Sequence, residues 1–344
     1  MTMSSRPDHT LAWMKFDEWI SRALEKGATD LYLLPGHKVM CRVNRELQEL
    51  DPMELDASQT RWVGVCMAER EIDYMQQGYI SVVRPINDTH YAEVVFARSG
   101  GKVSVTVKFR GGKLPTLEEC NVPLAVTRLL IAPNGLIIVA GPHASGKTTT
   151  LYVLAQWLNE NRALHLCTVE KPRHYLLKPA KSLVQQREVG RDCVSGAAGI
   201  DAAMQQDADA LVVSEVEDFE TLAAVLQAAE KGRLVLVQLH ADDPADAVAR
   251  LLAAAPESMQ GQVKRQLAGC LRGIVVQRLA KFADGRTRKA VCDVLGEGAR
   301  KLVEGGRLDA GAYLARVQDE IGKLESARKI TGEEAARLLR EVGA

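Results

Sequence analysis

The sequence has no long hydrophobic run, no excess of charge of either sign and no leader-like segment, and each absence excludes a class of protein. No apolar stretch approaches the roughly 20 residues that a membrane-spanning helix requires. The 44 basic residues balance the 44 acidic ones, which argues against bulk attraction to nucleic acid or to an anionic membrane. Charged residues are spread through the first thirty positions, so no secretory signal peptide is expected. We therefore expect a cytoplasmic protein without a membrane span.

The seven cysteines lack the pairing that a zinc site requires, because none of them occurs as C-x-x-C. We interpret them as reduced thiols that mostly fill space in the core. The chain has 344 residues, of which 47% are hydrophobic and 26% are charged. This composition is ordinary for a globular protein, and the length favours two domains.

The most informative segment is 141–148, which reads Gly-Pro-His-Ala-Ser-Gly-Lys-Thr and matches the phosphate-loop pattern G-x-x-x-x-G-K-[ST]. An all-apolar run at 136–140, typical of a buried parallel strand, precedes it, and leucines at helical spacing follow it. Loop N–H groups and the helix dipole would bind the phosphates of ATP, Lys147 would reach the β- and γ-phosphates, and Thr148 would hold Mg²⁺. The residues expected at the nucleotide are Gly141, Ala144, Ser145, Gly146, Lys147, Thr148 and Thr149.

Ala144 is an irregularity in this loop, because many such loops have a third glycine at that position. A Cβ there costs energy if the backbone φ angle must be positive. An ordinary glycine turn would explain the spacing of the glycines, but not the strand, loop and helix in this order.

The segment before about residue 112 predicts a small α+β domain with a sheet. Residues 102–109 alternate apolar and polar side chains, as a half-buried antiparallel strand does. The Gly-Gly-Lys-Leu-Pro segment that follows is typical of a linker. The other predicted elements are helices at 11–26 and 57–77 and strands at 30–34 and 39–43.

After the linker, buried strands alternate with helices, which indicates a parallel sheet covered on both faces. From about residue 297 the sequence is charged and helix-rich, and Thr331-Gly332-Glu333-Glu334 is typical of a helix start. The predicted strands are 136–140, 164–169, 210–214 and 234–239, and the predicted helices are 147–160, 219–231, 244–254 and 258–271.

Three of these strands each end in a polar residue at the edge of the sheet where the phosphate loop opens. Glu170, Glu215 and His240 follow the strands 164–169, 210–214 and 234–239. Parallel strands bring their carboxyl ends to one edge, so we expect the three side chains to surround a γ-phosphate. Taken singly, Glu215 also fits a solvated acid at the start of a loop, and His240 fits a hydrogen-bonded structural histidine.

In this order, the segments resemble the secretion ATPase superfamily of type II and type IV systems, and most closely its PilT-type pilus-retraction branch. The absence of C-x-x-C pairs favours that branch over the assembly and secretion branches. The matching segments are 141–151 with G-P-T-G-S-G-K-[ST]-T-T-L, 170–175 with E-D-P-I-E-Y, 207–218 with D-P-D-x-[ILV]-x-[ILV]-G-E-[IM]-R-D, 238–242 with T-L-H-T-N, 27–33 with G-A-S-D-[LI]-H-[LI], 271–279 with L-R-G-V-[IV]-[AS]-Q-R-L, and 299–307 with A-I-R-E-G-K.

The resemblance implies an α/β fold with a RecA-like P-loop ATPase core, a smaller PAS-like N-terminal α+β domain and a helical C-terminal tail. It also implies a ring of six subunits that binds ATP between the two domains and acts on an inner-membrane pilus platform protein. In that interpretation Glu215 positions or activates water, and Glu170 and His240 assist. The expected boundaries are 1–112 for the N-terminal domain, 113–118 for the linker, 119–296 for the core and 297–344 for the tail.

The chain also departs from the family pattern at charged positions. Lys171 stands where the family has an acid, Glu217 and Gln205 stand where it has arginines, and Ala144 replaces a glycine. Cationic groups at the γ-phosphate can contribute about 10³–10⁵ in rate, so their loss motivates an alternative, a paralogue that binds nucleotide but barely hydrolyses it. A P-loop kinase is a third hypothesis, which the three strand-end residues and the tail fit less well. Arg110, Arg272 and Arg278 are candidate cationic partners or plain salt-bridge residues.

Overall fold

A computed structural model describes residues 8–43, 46–67, 78–87, 90–111, 114–284, 287–296, 298–305 and 310–342. The chain divides into two compact units. The first contains the residues up to 113 together with 174–176, and the second contains 114–173 and the residues from 177 onward. None of the helices within the described ranges is long and apolar enough to cross a membrane.

The first unit is an antiparallel sheet packed with helices. Its six strands, counted over the described residues, lie in the order β3-β2-β1-β6-β5-β4. The helices are α1 (Asp8–Glu25) and α2 (Ala57–Met67), and the strands are β1 (Asp30–Leu33), β2 (Lys38–Val43), β3 (Glu46–Glu54), β4 (Tyr79–Pro85), β5 (His90–Ser99) and β6 (Lys102–Gly111).

The hydrophobic patterns account for this unit. On α1, Phe16, Trp19 and Ile20 recur at helical spacing and are buried in one apolar cluster with the inward face of β6. On β6, Val103, Val105 and Val107 are buried while the residues between them are partly exposed, so the predicted half-buried antiparallel strand is confirmed. The predicted helix at 57–77 is confirmed up to Met67, and the remainder lies outside the described residues.

The second unit is a seven-stranded sheet, over its described residues, with helices on its faces. The strand order is β13-β12-β7-β11-β10-β8-β9. Its strands are β7 (Gly135–Gly141), β8 (His165–Glu170), β9 (Leu183–Glu188), β10 (Ala210–Val213), β11 (Leu234–His240), β12 (Leu271–Lys281) and β13 (Arg288–Leu295). Its helices are α3 (Leu124–Leu130), α4 (Lys147–Asn161), α5 (Gly196–Gln205), α6 (Phe219–Glu230), α7 (Pro244–Ala253), α8 (Glu257–Cys270), α9 (Gly298–Glu304), α10 (Ala310–Ser326) and α11 (Gly332–Glu341).

The predicted α/β architecture is confirmed, with one correction to the sheet. Neighbouring strands from β12 to β9 pair in parallel, but β13 pairs with β12 in the antiparallel sense. All seven residues of β7 are buried, which explains its continuous apolar sequence. The predicted helix at 258–271 ends at Cys270, because β12 begins at the next residue.

The charged tail is helix-rich, as predicted: its described residues form α9, α10 and α11, and the last two pack on the edge of this sheet. Tyr313, Val317 and Ile321 of α10 and Leu338 of α11 share an apolar cluster with Val291 of β13. The predicted helix start is also confirmed, since the Thr331 hydroxyl accepts a hydrogen bond from the Glu334 N–H at 3.2 Å, as an N-cap does. The tail is therefore packed into the second unit.

Candidate nucleotide site

The phosphate-loop sequence forms a tight turn between the fully buried β7 and the first residue of α4. Three residues of this turn have positive φ: Gly141 at 156°, Ala144 at 58° and Gly146 at 83°. Glycine is required at the first position, because a Cβ on Gly141 would lie 2.2 Å from the Gln277 backbone oxygen. Ala144 is left-handed, which is the condition under which its Cβ costs energy. Loop N–H groups and the start of a 15-residue helix meet here, an arrangement that suits an anion.

Lys147, the first residue of α4, is folded back over this turn. Its Nζ donates a hydrogen bond of 2.6 Å to the Pro142 carbonyl and lies 3.4 Å from His240 Nδ1. Only 3% of Lys147 is exposed. Burial lowers the pKa of Lys147 to about 8, although Asp242 and Glu215 act in the opposite direction. The ammonium is thus held close to where phosphates would lie, with little water to compete.

His240 reaches the loop because of strand register. The last pair between β11 and β7 is His240 with Gly141. The His240 ring stacks on the ring of His143, with 5.8 Å between centroids and 19° between planes. Partial removal of the ring from water, followed by the charges of Lys147 and His143, lowers the pKa of His240.

Thr148 and Ser145 each have a hydroxyl group at the phosphate loop. The Thr148 hydroxyl donates a 2.9 Å hydrogen bond to Gln238 Oε1 from β11. The Ser145 hydroxyl is buried and has no hydrogen-bond partner among the described residues. Gln277 of β12 donates to the Ser145 carbonyl at 2.7 Å and so braces the loop from below. A buried hydroxyl without a partner is costly unless a ligand supplies one, which fits a bound phosphate.

Glu215 lies two residues beyond β10, at the same edge of the sheet. Its pKa is raised, first by partial removal from water and then by the nearby Glu217, while Lys171 and Lys147 lower it. Glu215 lines a cleft of about 180 Å³, here called the acidic cleft, together with Glu170, Lys171 and Glu217.

Lys171 and Glu217, which both depart from the family pattern, contact each other across the acidic cleft. Lys171 Nζ donates to Glu217 Oε2 at 2.5 Å, and the Lys171 backbone N–H donates to the Ser214 hydroxyl at 2.9 Å. The pair is about half exposed, so it contributes little to stability by itself. Its two charges act on the pKa of Glu215 in opposite directions.

Glu170 is brought less close to the loop than the other two strand-end residues. Its Oε1 accepts hydrogen bonds from the Thr168 hydroxyl and, at 2.9 Å, from Gln186 Nε2. β8 is the third strand from β7, so at about 4.8 Å per strand Glu170 is offset by roughly 14 Å along the sheet. Glu170 is buried and shares the acidic cleft with Glu215.

A second cleft beside the loop is formed partly by residues outside the motifs. A cleft of about 610 Å³, here called the loop cleft, is bordered by the phosphate loop on one side and by α11 on the other. Arg337 of α11 donates to the Leu279 carbonyl of β12 at 2.9 Å and pairs with Glu334. The helix-start pattern at Thr331 located α11 in the sequence, but no signal placed it beside the loop. Thr149 faces a separate cleft of about 230 Å³ with Gly146 and Gln277.

The candidate arginines are engaged in structural contacts where they are described. Arg278 is buried, and its guanidinium donates to the Asp242 carbonyl at 2.8 Å and lies 3.4 Å from the Tyr313 hydroxyl. Arg272 donates to Asn134 at 2.9 and 2.7 Å. The side chain of Arg110 lies outside the described residues.

Comparisons with known proteins show which family and which folds the chain is similar to. Residues 105–328 match the family described as type II/IV secretion system protein. The chain is 30% identical over 273 residues to the uncharacterized protein YggR of Escherichia coli K12, covering 77% of this chain and 81% of YggR. It is 28% identical over 284 residues to the type IV pilus ATPase PilU of Pseudomonas aeruginosa, covering 82% of this chain and 74% of PilU. The solved pilus retraction motor PilT with bound ADP has a TM-score of 0.83 at 28% identity, covering 94% of this chain and 96% of PilT.

Proposed function

The chain belongs to the type II/IV secretion system protein family, and from that premise we propose that it is an ATP-hydrolysing motor of a type IV pilus or related secretion system. Within that class we favour pilus retraction, because the chain is similar to the retraction motor PilT and to the pilus ATPase PilU over most of its length. The observation that carries the ATPase proposal is the phosphate loop, with positive φ at three residues, beside the buried ammonium of Lys147. Glu215 lies close enough to act on the pKa of that ammonium.

The roles of the residues follow from their positions. Loop N–H groups and Lys147 bind the phosphates, and the free hydroxyl of Ser145 adds a donor. Thr148, at the start of α4 beside Lys147, is suited to bind the Mg²⁺ that accompanies ATP. That ion would neutralise phosphate charge when bound. Glu215 orients or deprotonates the attacking water.

His240 and Glu170 assist in different ways. His240 contacts Lys147 directly and holds it at the phosphate end of the loop. Glu170 acts from the far side of the acidic cleft, through its bonds to Thr168 and Gln186, and keeps the ends of β8 and β9 in place beside Glu215. The remaining predicted residues, Gly141, Ala144, Gly146 and Thr149, shape the loop or continue it into α4.

We also propose the assembly that the resemblance implies. Six copies would form a ring in the cytoplasm, with the neighbouring subunit completing each nucleotide site. The ring would act on an inner-membrane pilus platform protein and would contact the membrane through that partner. Measuring mass in solution with and without ATP tests the ring, since a monomer under both conditions would contradict it.

A phosphate-release assay on the full chain tests the enzymatic proposal. Glu215→Gln should lower the rate by about 10²–10⁴, the range that general acid–base groups contribute. Lys147→Ala should also lower the rate, because it removes the cationic ligand of the phosphates. Equal background rates in the wild type and both variants would end the claim of hydrolysis. Circular dichroism of each variant checks that the fold is kept.

The alternative is a paralogue that binds nucleotide and regulates or supports a motor without hydrolysing ATP. Ala144 in a left-handed conformation and the absence of arginine at positions 205 and 217 favour it. Tight binding of ATP in calorimetry with negligible phosphate release, even at concentrations that form rings, would support this alternative. Brisk turnover by the isolated protein would exclude it.

A further inference from the structure

The stacking of the His143 ring on the His240 ring is a feature that the proposed ATPase does not itself require. His143 is the third residue of the phosphate loop and stands where the family pattern has threonine. His240 ends the neighbouring strand, and its ring centroid lies 5.8 Å from that of His143. Both side chains are exposed, so a ligand on the loop can reach them. Two imidazoles and the ammonium of Lys147 are therefore grouped at the mouth of one anion site.

The charged groups around this pair come from every adjoining element. Lys147 of α4 lies 3.4 Å from His240 Nδ1. Because the ammonium is a donor, Nδ1 accepts, and the His240 ring is then neutral with its proton on Nε2. Glu215, beyond β10, acts on Lys147 and offsets part of the positive charge.

The turn after β11 and the helix α7 complete these surroundings. Asp242 acts on Lys147, and its carbonyl accepts from Arg278 of β12 at 2.8 Å. Arg250 of α7 disfavours the charged form of His240, but it is bound to Asp246 at 2.8 Å, which moderates its effect. The cationic groups together oppose protonation of His240 while no anion is bound, and a polyanion between the two rings would reverse that balance.

We propose that His143 and His240 act together as phosphate ligands that take up protons from solvent when a nucleoside triphosphate binds. This inference rests on the proposed nucleotide site. Protonation of His240 requires Lys147 Nζ to leave Nδ1 for the phosphates, because two donors cannot share that contact. Each protonated ring then donates a charge-assisted hydrogen bond to a phosphate oxygen. Affinity therefore rises as pH falls from 8 towards 6.5, by up to about tenfold per pH unit for each proton taken up.

Isothermal titration calorimetry of the full chain with Mg²⁺ and a non-hydrolysable ATP analogue tests this pair. Titrations at pH 7 in two buffers of different ionisation enthalpy give the number of protons bound. The wild type should take up about one proton. His143→Gln should lower that number and should weaken binding about tenfold at pH 6.5. The difference in affinity between the two proteins should shrink at pH 8.5, where protons are scarce.

His165→Gln is the matched control on the same sheet. His165 begins β8 at the opposite edge from the loop, where its ring lies 3.0 Å from the Gln206 carbonyl. Its substitution should leave proton uptake unchanged. Protonation of the nucleotide itself contributes equally to all variants and cancels in the comparison.

The possible outcomes distinguish failure of the proposed histidine pair from failure of the proposed nucleotide site. Binding with equal proton uptake in the wild type and His143→Gln would overturn the pair and leave the nucleotide site intact. Loss of uptake in His240→Asn but not in His143→Gln would also overturn it, because one ring would then suffice. Lys147→Ala serves as the non-binding reference. If the wild type binds the analogue no better than Lys147→Ala does, the nucleotide site itself is refuted. Histidine ring resonances of the wild type, titrated with and without the analogue, should show two pKa values rising and require no variant.

Discussion

The phosphate loop and the acidic cleft depart from the family pattern in different ways. In the loop, Ala144 replaces a glycine, and the backbone still adopts φ of 58°. In the acidic cleft, Lys171 and Glu217 exchange the signs of two charges, and the two side chains meet at 2.5 Å. A site made of main chain can thus absorb a substitution as local strain. A site made of side-chain charges keeps its balance when a second substitution compensates for the first.

The largest expected effect comes from breaking the loop. Gly141→Ala would place a Cβ 2.2 Å from the Gln277 backbone oxygen, and overpacking should add about 1–3 kcal/mol to the cost of the positive φ. Chemical denaturation measures the loss. Gly190→Ala is the matched control, because φ there is 88° and a Cβ would meet nothing within 4 Å. Equal losses in the two variants would show that contact with β12 does not shape the loop.

The second-largest effect should come from removing the ion pair between Lys171 and Glu217. Lys171→Glu removes a group that lowers the pKa of Glu215 and adds one that raises it. The acid limb of the pH–rate profile should move to higher pH, and turnover at pH 7 should fall about tenfold, a typical coupling between neighbouring charges. Stability should change by less than about 1 kcal/mol, because the pair is exposed.

The double variant Lys171→Glu/Glu217→Lys is the control for the single variant Lys171→Glu. It restores an ion pair of opposite polarity, so the rate of phosphate release should return to within about threefold of the wild type. Independent, additive losses in the double variant would mean that the two substitutions do not compensate for each other.

A smaller effect should follow when the loop is brought closer to the family pattern. Ala144→Gly relieves a left-handed alanine, worth about 1–2 kcal/mol, but adds freedom to the unfolded chain, worth about 0.4–1 kcal/mol. The free energy of unfolding should therefore rise by about 0.5–1 kcal/mol. Denaturant melts measure it, and a loss of stability would show that the Ala144 Cβ makes favourable contacts.

The smallest effect concerns pH and the loop alone. The pKa of His240 is lowered in the folded chain, so the unfolded chain binds the proton more readily. The free energy of unfolding should therefore decrease as pH falls below about 6.5, the ordinary value for histidine. Urea denaturation at pH 7.5 and 5.5 should show a smaller difference in His240→Gln than in the wild type. The same difference in both proteins would assign the pH dependence to other groups.

The sequence was most informative where structure depends on near neighbours. The buried strands β7, β10 and β11 were predicted to within one residue at each end, because a strand covered on both faces must be apolar throughout. β9 was missed, since Leu-Val-Gln-Gln-Arg-Glu at an edge of the sheet carries no such run. β12 was hidden because it follows α8 without an intervening loop.

The candidate site divides in the same way. The loop and the position of Glu215 after a strand follow from local order. The contact between Lys171 and Glu217, 46 residues apart, depends on β10 lying beside β8, which spacing does not specify. Likewise, only strand register brings His240 to Gly141, and hence to the ring of His143.

Because α11 forms one wall of the loop cleft, a probe on α11 can report on the phosphate loop at the start of α4. Glu333 is exposed on the first turn of α11, next to Glu334, which lines that cleft. A fluorophore attached through Glu333→Cys would sense any movement of the helix as the cleft fills. Nucleotide occupancy could then be followed optically in real time, without labelling the ligand or altering the loop that we propose to bind it.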